Sequence, residues 1–171
     1  MSKNYSLKDF QNQLTSRLHN ASTQPVNASR LGFRVAGYNW LVNLADIDEV
    51  LPVPAILPVP GARRWFRGAA NIRGNLYAVS DLGDFLFAKP TPDVTSNRLL
   101  LAHYKLGVNA ALIVEQTLGL KNLSQLTRGK RASEWPFATQ HFRDGEGMDW
   151  IEIHLATLLG DPHFMAAEAP N

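Results

Sequence analysis

The chain has 171 residues, 45% hydrophobic and 19% charged, with Lys+Arg 17 against Asp+Glu 15. That composition excludes a disordered tether, and a chain of this length buries roughly 70% of its unfolded surface; the net charge of +2 is too small to signal a nucleic-acid partner by itself. Cys is 0, which removes disulfides, thiolate metal sites and a cysteine nucleophile, and makes the cytoplasm the expected compartment.

Met1–Leu14 lacks the apolar core of a secretory signal, and no later apolar run approaches the ~20 residues of a membrane helix. Leu7, Phe10, Leu14 and Leu18 recur at helical spacing among polar residues, which predicts a short amphipathic helix. This arm either packs back on the body or serves as a docking peptide. Asn20–Ser29 reads as a polar linker.

From Leu31 the period changes to two. Leu31, Phe33 and Val35 alternate with Gly32, Arg34 and Ala36, Gly37 breaks the run, and Trp40, Val42 and Leu44 alternate again, which predicts a hairpin. Asp46–Val50 opens with acidic residues suited to the start of a short helical turn. Pro52, Pro54, Pro58 and Pro60 then forbid regular ladder pairing, so an extended surface loop is expected. Strands are expected at Phe66–Ile72 and Leu76–Val79, joined at Gly74-Asn75, a two-residue hairpin signal that leaves Arg73 at a rigid hairpin end.

Asp84–Phe87 reads as a helical turn, and Lys89-Pro90-Thr91-Pro92 separates a second β-rich run. Strands are predicted at Arg98–Tyr104 and Asn109–Glu115, the latter buried on both faces at Ala110–Val114. Leu118–Leu126 has a mixed period that declares no element, Asp144–Gly147 is a turn, and Met148–Leu155 is a closing strand before a helical turn. A faint echo links Phe33–Leu51 to His103–Leu120: each is a strand, a glycine turn, a strand and then a helix-like or leucine-rich stretch.

No catalytic constellation emerges. Gly145-Glu146-Gly147 lacks the third glycine of a dinucleotide turn, the five histidines lack metal-ligand spacing, and Ser80 has no nucleophile elbow. Glu152 and His154 share a strand face and are candidates for a carboxylate–imidazole pair. Arg63, Arg64 and Arg67, interleaved with Trp65 and Phe66, support an alternative reading as a small nucleic-acid-binding barrel, with cations for phosphates and rings for bases.

Asn71-Ile72-Arg73-Gly74, followed by Val79-Ser80-Asp81-Leu82, resembles the N-L-R-G … V-x-D-L signature of CheW-like domains, the coupling modules of bacterial chemosensory arrays. Pro58-Val59-Pro60-Gly61 and Trp65-Phe66-Arg67-Gly68 resemble the PilI-type subfamily, which serves twitching motility by type IV pili. The resemblance implies a mainly β fold of two five-stranded antiparallel barrels. Its division of the chain is an arm and linker at 1–29, a CheW-like domain at 30–160 and a tail at 161–171. Within the domain, the first barrel falls mainly at 30–90, the second mainly at 97–147, and the closing strand and helical turn at 148–160.

The function implied is a non-catalytic, cofactor-free adaptor. Its partners would be the regulatory domain of a CheA-like histidine kinase and the cytoplasmic tip of a methyl-accepting chemoreceptor, which would recruit it to membrane-associated arrays without membrane insertion of its own. Family receptor-contact positions fall on Ile47, Glu49 and Arg73, with Leu44 as a neighbour. The alternative role for Arg73 is to hold its own hairpin by bonding backbone carbonyls.

Overall fold

The structure is a computed structural model that describes residues 28–130 and 135–168. The arm carrying Leu7, Phe10, Leu14 and Leu18 falls outside those residues.

β1 (Ser29–Val35) and β2 (Tyr38–Asn43) form the hairpin expected from the alternation, with Phe33 opposite Trp40 and Val35 opposite Tyr38. β2 then enters a 3-10 turn at Leu44–Asp46 and continues as β3 (Ile47–Pro52). The helical turn expected at Asp46–Val50 is therefore corrected to a strand. Asn43 caps the turn one step earlier by accepting the Ala45 N–H at 3.1 Å, and Ile47–Pro52 shows the buried–exposed alternation of a strand.

β4 (Phe66–Ile72) and β5 (Asn75–Asp81) make the signature hairpin, and α1 (Leu82–Phe87) follows directly. β6 (Arg98–Ala102) pairs with β7 (Ala110–Val114), which is buried at every residue as expected. The undeclared leucine-rich stretch resolves into β8 (Gln116–Asn122) and a second 3-10 turn at Leu123–Gln125, whose cap, Asn122, repeats the role of Asn43. β9 (Thr127–Arg128), β10 (Ala138–Arg143), β11 (Asp149–Ile153), α2 (Leu155–Leu159) and α3 (Pro162–Met165) complete the chain.

These strands form two sheets, in the orders β8-β1-β2-β11-β10-β9 and β3-β6-β7-β5-β4. Two points of the expected architecture are corrected. Neither sheet closes into a barrel, since each keeps two edge strands, and neither is wholly antiparallel, since β2 pairs with β11 and β5 with β7 in parallel. The cause is an exchange: after the β1-β2 hairpin the chain sends β3 to the sheet of β6, and after the β6-β7 hairpin it sends β8 to the sheet of β1. Each sheet thus runs from a donated strand through a hairpin to a parallel partner and its neighbour.

The exchange places the main core between the sheets. Phe33, Val35, Trp40 and Val42 of one sheet share a cluster with Leu100, Leu112 and Val114 of the other, joined by Leu82, Leu155 and Leu158 from the helices. Each sheet also curls around a smaller core of its own: Ala70, Val79, Leu99, Leu101 and Ile113 in the five-stranded sheet, and Leu41, Phe142 and Trp150 in the six-stranded one. The tail beyond Gly160 packs on the same body: Phe164 stacks on Trp65 at 5.3 Å, and the Arg63 N–H donates to the Ala167 carbonyl at 2.7 Å. No helix among the described residues is long and apolar enough to cross a membrane.

The β10-β11 turn carries a pH-sensitive clamp. Asp144 accepts from the Trp150 indole N–H at 2.9 Å and from the Met148 N–H, and these bonds hold its carboxyl below the usual carboxylate range. A carboxyl depressed on folding contributes stability above its unfolded value and loses it as the pH falls through the folded one. Tryptophan emission should therefore be constant near neutrality and change in acid below the ordinary aspartate range; that change should be smaller in Asp144→Asn, where the depressed Asp149 beside Trp150 still titrates.

Candidate interaction site

The five-stranded sheet is curled but open: β3 and β4 are its edges and do not pair with one another. One isolated bridge spans part of the opening, where Leu57, in the proline-dense segment after β3, exchanges backbone hydrogen bonds of 2.8 and 2.9 Å with Ala69 of β4. The second link is ionic. Arg73 sits in the β4-β5 turn and grips Glu49 of β3 bidentately, Nη1 to Oε2 and Nη2 to Oε1, both at 2.6 Å.

Local chemistry fixes Arg73 in that position. Ile72 pairs with Asn75, so the two turn residues are Arg73 and Gly74, with φ of 52° and 85°. This is the left-handed pattern that suits the twist of a tight hairpin. The turn lies one residue earlier than the Gly74-Asn75 signal indicated, because Asn71 accepts the Gly74 N–H at 2.8 Å with its side chain and Asn75 is drawn into the ladder. Arg73 bonds a carboxylate across the seam, in place of the carbonyls of its own hairpin considered from sequence. Hydrogen bonding by Glu49, then its charge, raises the Arg73 pKa above its ordinary value. The Arg73 side chain stays 75% exposed, so the pair is open to a partner.

The other expected site residues divide. Ile47 is only 9% exposed and belongs to the main core, where Leu44 packs partly against it. The Leu44–Asp46 turn is held from the segment just after β6: the Lys105 Nζ pairs with Asp46 at 2.9 Å, and the His103 N–H donates to the Asp46 carbonyl at 2.8 Å. Glu49, Arg73 and this turn thus lie along the start of β3, with Ile47 beneath as a support.

The signature aspartate has a role that its motif did not disclose. Asp81 is completely buried. Its Oδ1 accepts from the Gly83 and Asp84 N–H groups and from the Thr91 hydroxyl, while its Oδ2 accepts from the Thr91 N–H and, at 3.4 Å, from Arg67. One carboxylate therefore caps α1 and ties down the loop after it. The only sequence signal was the N-cap pattern of an aspartate before an apolar helical turn.

The arginines of the nucleic-acid alternative are committed elsewhere. Arg64 grips Asp84, with Nε at 2.8 and 3.0 Å from its oxygens, Arg63 donates to the Ala166 carbonyl at 2.8 Å, and Arg67 faces Asp81. Trp65 is buried between Phe85 and Phe164. Two cations facing carboxylates, a third already donating to a carbonyl and a ring already stacked leave that surface poorly suited to phosphates and bases. The Glu152–His154 pair does not form: Glu152 accepts from Arg30 at 2.6 Å, and His154 caps α2 beside Thr157. Among the described residues no group of three or more His, Asp or Glu is placed to hold a metal.

Known proteins share this architecture. The crystal structure of scaffolding protein TtCheW from Thermoanaerobacter tengcongensis superposes with a TM-score of 0.69 at 18% identity, over 80% of this chain and 95% of that one. Protein PilI of Pseudomonas aeruginosa is 32% identical over 117 residues, 68% of this chain and 65% of that protein, so the shared part is just under two thirds of the relative. Residues 30–161 match the model of the CheW-like domain, and this chain belongs to the CheW-like domain family.

Proposed function

We propose that the chain is a non-catalytic adaptor that couples a methyl-accepting chemoreceptor to a CheA-like histidine kinase, in a pathway controlling twitching motility by type IV pili. Family membership supports the coupling role, and the similarity to Protein PilI supports the pilus pathway. The observation that carries the reading is the Glu49–Arg73 pair, an exposed bidentate ion pair held at an open seam by a left-handed turn. A guanidinium held in this way presents its remaining donor edge to a receptor carboxylate or to helix-end carbonyls. Recruitment to the membrane would come from the receptor.

The experiment is a titration of the purified chain with a receptor signalling-tip fragment, alongside gel filtration with the kinase regulatory domain. Arg73→Ala is expected to weaken receptor binding by more than about tenfold, as truncating a charged contact typically does, while the thermal melt stays unchanged. The exchange variant Glu49→Arg with Arg73→Glu restores the internal pair with reversed polarity. If the pair serves only the fold, this double variant binds normally; if Arg73 contacts the receptor, binding stays weak. An unaltered titration for Arg73→Ala, or failure of the chain to co-elute with the kinase domain, would overturn the reading.

A further inference from the structure

A partner-binding surface needs an apolar centre as well as its charges, and burial of Ile47 removes the residue expected to supply it. Tyr104 stands beside the same turn and is 78% exposed. We propose that Tyr104 is the aromatic anchor of this surface, which extends from Glu49 and Arg73 across the Leu44–Asp46 turn. The inference rests on the adaptor reading above and adds to it the residue that supplies the apolar contact.

Tyr104 is exposed but held in place. It opens a 3-10 turn at Tyr104–Leu106 that is capped by the His103 side chain, whose Nδ1 accepts the Lys105 N–H at 3.2 Å, and closed by Gly107 at φ 76°. The ring lies against the His103 imidazole with centroids 4.3 Å apart. The next residue, Lys105, is the one bound to Asp46, and the His103 N–H bonds the Asp46 carbonyl, so the aromatic turn is tied to the Leu44–Asp46 turn at two points. A tyrosine fixed in this way offers a large contact area and loses little rotamer freedom on binding, which is why the residue is frequent among interface hot spots.

Distance and charge define the occupant. Ile47 pairs with Ala102, so Tyr104 lies level with the turn, and Asp46 to Glu49 spans about 10 Å along an extended chain. Two turns of a helix cover that span. Of the charges between the two ends, Lys105 is matched by Asp46 and Arg73 by Glu49, while the exposed Asp48 is in none of the ion pairs among the described residues, so the complementary face has an apolar stripe over Tyr104 and a polar or cationic group toward the Arg73 end. A helix of the receptor signalling tip fits that description.

The test is a parallel titration of the receptor signalling-tip fragment into the unaltered chain and the variants Tyr104→Ala, Tyr104→Phe and Arg73→Ala. Tyr104→Ala is expected to weaken binding about tenfold or more, Tyr104→Phe to stay within about twofold because it keeps the ring, and the melts to match. Full binding by Tyr104→Ala while Arg73→Ala is impaired would overturn the anchor and leave the adaptor reading standing. Equal losses in Tyr104→Ala and Tyr104→Phe would assign the contact to the hydroxyl and also overturn it, as would a lowered melt. Absence of binding by the unaltered chain would remove the adaptor reading itself.

Discussion

Gly68→Ala is expected to cost about 3–5 kcal/mol of folding stability, a large fraction of the 5–15 kcal/mol typical of a domain. Gly68 has a φ of 127°, a conformation that residues with a Cβ adopt only with strain of about 1–3 kcal/mol. A Cβ there would also collide with the Leu57 carbonyl oxygen and lie 2.8 Å from its carbon and 2.9 Å from the Pro58 Cα. Because the obstacles are backbone atoms, no side-chain rotation relieves them, and overpacking of this kind costs a further ~1–3 kcal/mol. The Leu57–Ala69 bridge must therefore open, or β4 must shift where its register against β5 slips between Phe66 and Gly68. A urea titration reads the loss as a midpoint lowered by roughly 1.5–3 M. Gly74→Ala is the control: its φ of 85° is also left-handed, yet nothing stands within 4 Å of a Cβ there, and only about 1 kcal/mol is expected. Equal midpoints for the two variants would contradict the close-approach argument.

Asp81→Ala should be comparably severe, about 3–5 kcal/mol, for an electrostatic reason. Removing the carboxylate leaves the N–H groups of Gly83, Asp84 and Thr91 and the Thr91 hydroxyl without their acceptor in a buried site, and each orphaned buried polar group costs about 1–3 kcal/mol before solvent relaxation. Asp81→Asn discriminates further. It keeps Oδ1 for the helix cap but replaces Oδ2 with an NH2 that faces the Thr91 N–H and Arg67, so it should stay unstable although it is nearly isosteric. Arg67→Ala should be mild, about 1 kcal/mol or less, because its contact is long and half exposed. Hydrogen exchange at the Thr91 amide checks the assignment locally: Asp81→Asn should accelerate it, and Arg67→Ala should leave it slow.

Local patterns made most of the elements legible before the fold was known. The alternation of Leu31, Phe33 and Val35 marks β1, the uninterrupted apolar run at Ala110–Val114 marks a strand buried on both faces, and Gly74 marks the signature hairpin to within one residue. The exchange of β3 and β8 was not legible. Both donated strands follow a hairpin within a residue or a short turn, and nothing local tells them which sheet to join; the large interlayer core around Trp40, Leu100 and Leu112 decides it.

The candidate site was half legible. Glu49 and Arg73 stand 24 residues apart and meet at 2.6 Å, a juxtaposition the sequence could only suggest by resemblance. The burial of Ile47 depends on its pairing with Ala102 in the other half of the chain, and the partners that occupy Arg63 and Arg64 are a tail carbonyl and the helix residue Asp84. Tyr104 carries no signal in the sequence, because exposure, the property that singles it out, follows from packing and is not encoded by residue type.

The proline-dense crossing at Leu57 has a consequence for behaviour in crowded solution. An open strand edge is a template on which a second molecule can add its own strand, and repetition of that event yields fibres. Here the N–H and C=O groups of Ala69 are occupied by Leu57, β3 ends at Pro52, and Pro54, Pro58 and Pro60 beside the crossing have no N–H with which to extend a ladder. The seam that leaves Arg73 and Glu49 reachable is thereby guarded against runaway polymerisation, so concentrating the protein many-fold should not convert it into insoluble aggregate through that edge.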